Sequence, residues 1–476
     1  MENDVKQKSF IGMAWVGLEK CSTQVLRFGI GIVLARLLTP NDYGMVGMLA
    51  VFIALSDLFV DSGFGLALIQ KKDRTEEDYS TVFFFNLAMS VLAYGVLFSV
   101  APLIASFYKM PDLCNLCRVM SLGLPLGALC TIQRTRMTIN LDFKSQTGIS
   151  ITSLVVSGLV GISMAYRGWG VWALVWQGIA ASVTNVALLW GVARWYPRLA
   201  FSMNSFKRFF SFGWKHLCTC FISVVYDNVY TLVIGKSFGA ADLGHFTRAN
   251  GYPALAANTV SDTVLKVNFP ILSQFQDDHV KLVSAYRKML RAPMFLLIPL
   301  LLGMAVTARP LIATMIGEKW LPCVPYLQVM CVAMIFFPLS NVNLNLLYVK
   351  GRTDIVLKLD LIKKPIAFAL VFCAIPFGIM GMCLSKVIYN IIAFSINCHY
   401  TKKLLGYGLL DQLKDISFLL VNSMVMTGVV FLIMRLFDAN WIKLLAGVST
   451  GAAAYALLAL LTKDPSFMAL VGRGSA

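Results

Sequence analysis

Stretches of about 20 mainly apolar residues recur from one end of the chain to the other, each long enough to cross a hydrocarbon core of roughly 30 Å. With 58% hydrophobic residues, 14% charged residues and a mean hydropathy of +0.72, the 476-residue chain lies far from globular composition and reads as a membrane protein. Apolar runs bounded by charged or Gly/Pro-rich breaks place spans near residues 10–35, 43–69, 80–108, 114–138, 147–166 and 169–193. A second series lies near 211–235, 243–272, 289–308, 322–349, 359–378, 379–400, 416–437 and 441–462. The expected fold class is an all-α integral membrane protein of about 14 transmembrane helices, with no interval long enough for a soluble domain. The N-terminal "MENDVKQKSF" leads into a segment broken by charged and polar residues, without a compact apolar stretch ending in a small-residue cleavage site, so no removable signal peptide is expected.

The net charge of +17 would suit nucleic acid, but its distribution says otherwise. With a cytoplasmic N-terminus, 26 of the 41 Lys and Arg fall in inner segments, among them Arg134, Arg136, Lys358, Lys363 and Lys364. Nine fall outside. The positive-inside rule then puts both termini in the cytoplasm and makes the charge topological, with no nucleic-acid partner. Six basic residues remain at membrane depth: Lys20, Arg27, Lys215, Arg248, Lys266 and Lys386. A cation at a helix centre costs about 2.5–3.5 kcal/mol, so these need a wet interior or partners.

"LARLLTPNDYG" (34–44) falls on "IGKSFGAADLG" (234–244) at a constant offset of 200, matching Arg36 with Lys236, Asp42 with Asp242 and Gly44 with Gly244. This implies two pseudo-symmetric six-helix lobes (1–200 and 201–408) around a central cavity, plus two additional helices and a short tail (409–476). On helical spacing Gly17, Lys20, Gln24, Arg27 and Gly31 share one stripe of the first span, which turns its cations toward an aqueous cavity or lets Lys20 pair locally with Glu19. The corresponding helix of the second lobe carries His216 and Asp227 on one stripe, chemistry suited to binding and releasing a proton or cation, although His216 also fits a plain interfacial position. Asp57 and Asp61, four residues apart, suit either a coupling-ion site or a structural ion pair. Arg248, Tyr252, Thr259, Asp262 and Lys266 follow helical spacing in the eighth span, and Lys386 and Asn390 in the twelfth. Asn341, Asn343 and Asn345 would suit a hydroxyl-rich ligand or bond helix to helix.

"GKS" at 235–237 lacks the first glycine of a phosphate loop, since position 230 is Tyr, and the lone C-x-x-C at Cys114 and Cys117 has neither a second pair nor a nearby histidine. No catalytic residue, metal ligand or resident cofactor is expected, so the chain reads as no enzyme. An ion gradient carried by H+ or Na+, a substrate gradient or a partner would drive transport.

"LARLLTPNDYGMVGM" and "DLFVDSGFGLALIQKKDRTEEDYSTVFFFN" resemble the polysaccharide transporter family of the multidrug/oligosaccharidyl-lipid/polysaccharide flippase superfamily, the Wzx-like oligosaccharide or lipopolysaccharide O-antigen flippases. The detailed resemblance spans residues 9–90, and the hydropathy pattern covers nearly the whole chain. It implies a bacterial inner-membrane flippase of the related multidrug-exporter (MATE-like) fold. Such a protein moves a polyprenyl-diphosphate-linked oligosaccharide outward by alternating access, as a monomer among membrane lipids and other polysaccharide-assembly proteins. It also implies that cationic cavity residues bind the diphosphate or acidic sugars, and by position Lys20, Arg27 and Arg248 match where related lipid flippases carry functional arginines. The residues themselves add Lys386 as a further cation and Gln24, Tyr252, Asn341, Asn343, Asn345 and Asn390 as polar contacts. Asp57, Asp61, Asp227, Asp262 and His216 are then the ion-coupling candidates. Position 20 holds Lys, a point charge rather than a planar fork. The alternatives are a small-molecule exporter on the same fold and a membrane glycan polymerase, the latter requiring an outer catalytic loop that the spans leave no room for.

Overall fold

In the computed structural model every regular element among the described residues is helical. The structure describes residues 2–61, 63–275 and 278–470, leaving out the side chains of 2–14, 61, 211, 212, 215, 216, 219, 263–271, 469 and 470. The first series comprises α1 (Glu2–Leu37), α2 (Pro40–Asp61), α3 (Phe64–Gln70), α4 (Glu76–Tyr108), α5 (Asp112–Met120), α6 (Gly123–Ile139), α7 (Phe143–Tyr166) and α8 (Val171–Ala193). Then come α9 (Met203–Phe238), α10 (Ala240–Gln274), α11 (His279–Val306), α12 (Ala308–Met315), α13 (Val324–Val349), α14 (Thr353–Ala374), α15 (Gly378–Leu405), α16 (Leu409–Met434), α17 (Asn440–Leu461) and α18 (Pro465–Leu470).

Ten stretches among the described residues are long and apolar enough to cross a membrane, one of which, Thr353–Leu405, contains both α14 and α15. The 35- and 36-residue helices α1, α9 and α10 also match the length of a span, in addition to those ten. They are the helices that hold the expected basic and acidic stripes.

The motif "TPND" is a helix start built from side chains. Thr39 N and Oγ1 donate to Asp42 Oδ2 at 2.8 and 2.7 Å, and Asp42 N returns a bond to Thr39 Oγ1 at 3.3 Å, with Pro40 in the first helical position. One turn on, Gly44 lies against backbone of the second motif copy. A Cβ there would stand 1.7 Å from Ala240 O, and a Cβ on Gly244 would stand 1.9 Å from Pro40 O. The contact is reciprocal under the offset of 200 read from the sequence. "DSG" ends α2, and Gly63 (φ +73°) lets the chain turn into α3.

The chain forms two compact units, Met1–Gly244 and His245–Ala476. In the first, α9 packs on α2, α3 and α4. Buried Asp78 at the start of α4 binds Lys71 Nζ at 2.5 Å and Ser205 Oγ of α9 at 2.7 Å. Glu76 takes the Trp195 indole N–H at 2.7 Å, while Ser80 and Thr81 accept the backbone N–H of Arg198 and Ser202 at 3.0 Å each. Phe64, Phe83, Trp195 and Phe209 pack beneath this polar clasp. In the second unit α13 lies along α15, α11 along α16, and α16 along α17, so the two last long helices belong to that unit's body.

Candidate functional site

In the first unit α1 packs on α7, where Gly158 leaves room for Ile30 and Thr147 reaches the Trp15 carbonyl at 3.4 Å. Lys20 and Arg27 are exposed, with Gln24 half-buried between them, so the expected stripe exists and is not covered by α7. Asp57 on α2 and Asp227 on α9 are exposed as well. Exposed charge on long apolar helices is tolerated only beside water or a charged ligand. The side chains of Asp61, His216, Lys215 and Lys266 lie outside the described residues.

In the second unit the site cations have defined settings. Arg248 is half-buried, its guanidinium carbon 5.6 Å from the ring centroid of fully buried Trp320, which His245 also meets edge-on at 5.8 Å. A cation held over an indole face is restrained in direction. Two residues along α10, Asn250 accepts from Lys386 Nζ of α15 at 2.9 Å. Arg248 and Lys386 are thus brought to one helix by different partners, Trp320 and Asn250. Tyr252 is half-buried and Asp262 exposed on the same helix.

The asparagines divide sharply. Asn343 is fully buried and exchanges both amide bonds with Gln412 of α16, at 3.0 and 2.9 Å, while its oxygen also accepts from Thr401 at 2.6 Å. Asn390 is buried and donates to the Ala333 carbonyl of α13 at 2.8 Å. Both amides make helix-to-helix contacts, the alternative that the sequence leaves open for Asn343. Asn345 is 3% exposed, closed off from any ligand in this state. Asn341 alone of the three is half-buried and stands open to one.

Two residues counted as inner-segment charges sit on helices with defined contacts. Lys363 sits well inside α14 with its side chain 6% exposed, bonded to Asn397 Oδ1 and Asp360 Oδ1 at 3.4 Å each. Arg134 lies on α6 in the wall of a cleft of about 530 Å³ with Thr131, Ser182 and Asn185. The signal for Arg134 is present in the sequence, since Thr131, Arg134 and Thr138 recur at helical spacing.

A family model described as polysaccharide biosynthesis protein matches residues 33–325. Among curated proteins the chain is 26% identical to the teichuronic acid biosynthesis protein TuaB of Bacillus subtilis (strain 168), over 73% of each chain. It is also 26% identical to the lipopolysaccharide biosynthesis protein WzxC of Escherichia coli (strain K12), over 82% of this chain and 80% of that one. The fold resembles an inward closed lipid II flippase MurJ (TM-score 0.76, 15% identity, 94% of this chain and 99% of that one). It also resembles an inward-facing multidrug resistance MATE family transporter (TM-score 0.64, 13% identity, 81% and 94%). Those two likenesses are of fold. The family match covers more than half of the sequence and includes the capped "TPND" start and the Gly44 contact, and on that ground the chain belongs to the polysaccharide biosynthesis protein family.

Proposed function

We propose that this protein is a flippase that carries a polyprenyl-diphosphate-linked oligosaccharide across the bacterial inner membrane by alternating access, with its termini in the cytoplasm. It is a transporter and not an enzyme. The observation that carries the reading is the exposed Lys20–Gln24–Arg27 face of α1, a cationic stripe on a long helix in a chain of this family. Two cations a helical turn or two apart suit a diphosphate, whose charge returns part of their desolvation cost. Arg248, held over Trp320, and Lys386, held by Asn250, supply further positive charge in the second unit. Asn341 is the amide left to meet sugar hydroxyls. Asp57 and Asp227, with Asp262, are the carboxylates through which H+ or Na+ would couple to the cycle. The names of the relatives, biosynthesis proteins for teichuronic acid and lipopolysaccharide, support a glycan cargo.

The test is the leaflet distribution of lipid-linked oligosaccharide in cells lacking the protein, read by enzymatic labelling of outward-facing sugars. Accumulation on the inner face, relieved by wild type and not by Lys20→Gln/Arg27→Gln, is the expected result. An unchanged distribution overturns the reading and favours small-molecule export.

A further inference from the structure

The cleft on the first unit has a chemistry of its own. Arg134 of α6 is exposed in its wall, and one guanidinium N–H makes a long 3.4 Å bond to Asn185 Oδ1 of α8. That carbonyl is itself aimed: Asn185 Nδ2 donates to Ser153 Oγ at 2.8 Å and to Ala181 O at 2.9 Å, so the amide cannot rotate without breaking both. Ser153 Oγ in turn donates to Ala181 O at 2.8 Å. The fork of Arg134 is therefore oriented by α8 while most of its donors stay open to the cleft.

The neighbouring hydroxyls are committed in the opposite sense. Thr131 Oγ1 donates to Gly127 O at 3.3 Å and Ser182 Oγ to Gly178 O at 3.2 Å, each within its own helix. Their protons are used, so their oxygens face the cleft as acceptors. Leu66 and Ile69 of α3, both exposed, form an apolar wall. A ligand matched to this set must bring an anionic, planar oxygen pair for Arg134, hydroxyl donors for Thr131 and Ser182, and a C–H face for the leucine and isoleucine. A bare phosphate brings acceptors only. The volume of about 530 Å³ is within the range of small-ligand sites.

We propose that this cleft is a specificity subsite for a carboxylate-bearing sugar of the cargo, with Arg134 as the residue that distinguishes acidic from neutral glycans and Asn185 as its positioning residue. The proposal rests on the glycan-carrying reading above but concerns recognition, which is measurable without transport.

The experiment uses the full chain in phosphatidylcholine nanodiscs, titrated by saturation-transfer NMR with a glucuronate-containing tetrasaccharide and with maltotetraose. Wild type is expected to bind the acidic probe at least tenfold more tightly. Arg134→Gln removes that preference and leaves maltotetraose binding as it was. Arg134→Lys, which keeps charge without the fork, retains a reduced preference. Thr131→Val/Ser182→Ala weakens both probes alike. Absence of a preference in wild type, or its survival in Arg134→Gln, overturns the proposal. So does competition by phosphatidylglycerol nanodiscs that disappears in Arg134→Gln, an outcome that would make the cleft a lipid-headgroup site. A failed leaflet test with this preference intact would remove the flippase reading alone.

Discussion

The stripe on α1 and the asparagines of α13 look alike in sequence: polar residues at helical spacing on long apolar helices. In the structure the α1 cations and Asn343 part company. Lys20 and Arg27 are exposed, whereas Asn343 is fully buried with its amide shared between Gln412 and Thr401. Periodicity names a face, and only the neighbouring helix decides whether that face meets water or another amide. Polar groups of the second kind hold helices together in lipid, where hydrophobic collapse gives no preference for helix over lipid.

Substitutions can break this contrast, and the largest effect is expected on α1. Lys20→Gln/Arg27→Gln should abolish surface glycan while leaving the protein's level and thermal stability in detergent unchanged, because both cations are exposed. A fall in stability equal to that of a core variant would erase the distinction. Trp320→Ala tests an intermediate case: emptying this fully buried site should cost about 3–5 kcal/mol of stability, and loss of the indole under Arg248 a further ~1 kcal/mol of cation placement, roughly a fivefold drop in glycan export per folded protein. Export at wild-type level would mean that Arg248 is held well enough by other contacts.

Asn343 should behave in the reverse manner to Lys20. Asn343→Ala is expected to lower thermal stability, with a coupling to Gln412→Ala of about 0.6–1.7 kcal/mol in a double-mutant cycle. Its effect on export should be no larger than its effect on the amount of folded protein. An export defect beyond that would restore Asn343 as a ligand contact. The smallest change is Thr39→Ala, which removes a cap worth about 1 kcal/mol from α2 and should lower stability without altering the cargo carried.

Several features are legible in the sequence because they are local. "TPND" carries its own capping bonds, and Gly63 its own left-handed turn into α3. The stripe of Lys20, Gln24 and Arg27 comes from 3.6-residue geometry alone. The features that stay hidden are set by partners distant in sequence. Lys363 reads as an inner-segment cation until Asn397, 34 residues on, accepts from it, and α9 joins the first unit because Ser205 reaches Asp78 across 127 residues. Arg134 reads as a topological charge: its helical spacing with Thr131 and Thr138 names a face, and nothing near it in sequence shows that Asn185 meets that face.

The glycine crossing also sets a timetable. The backbone that fills the space beside Gly44 belongs to Ala240, which the ribosome makes about 200 residues later. At roughly 5–20 residues per second this is a wait of about 10–40 s. Through that interval α2 is in the membrane with its close-packing surface uncovered. A nascent chain halted before residue 240 carries an unfilled notch, and membrane quality control would meet it as a helix that still lacks its mate.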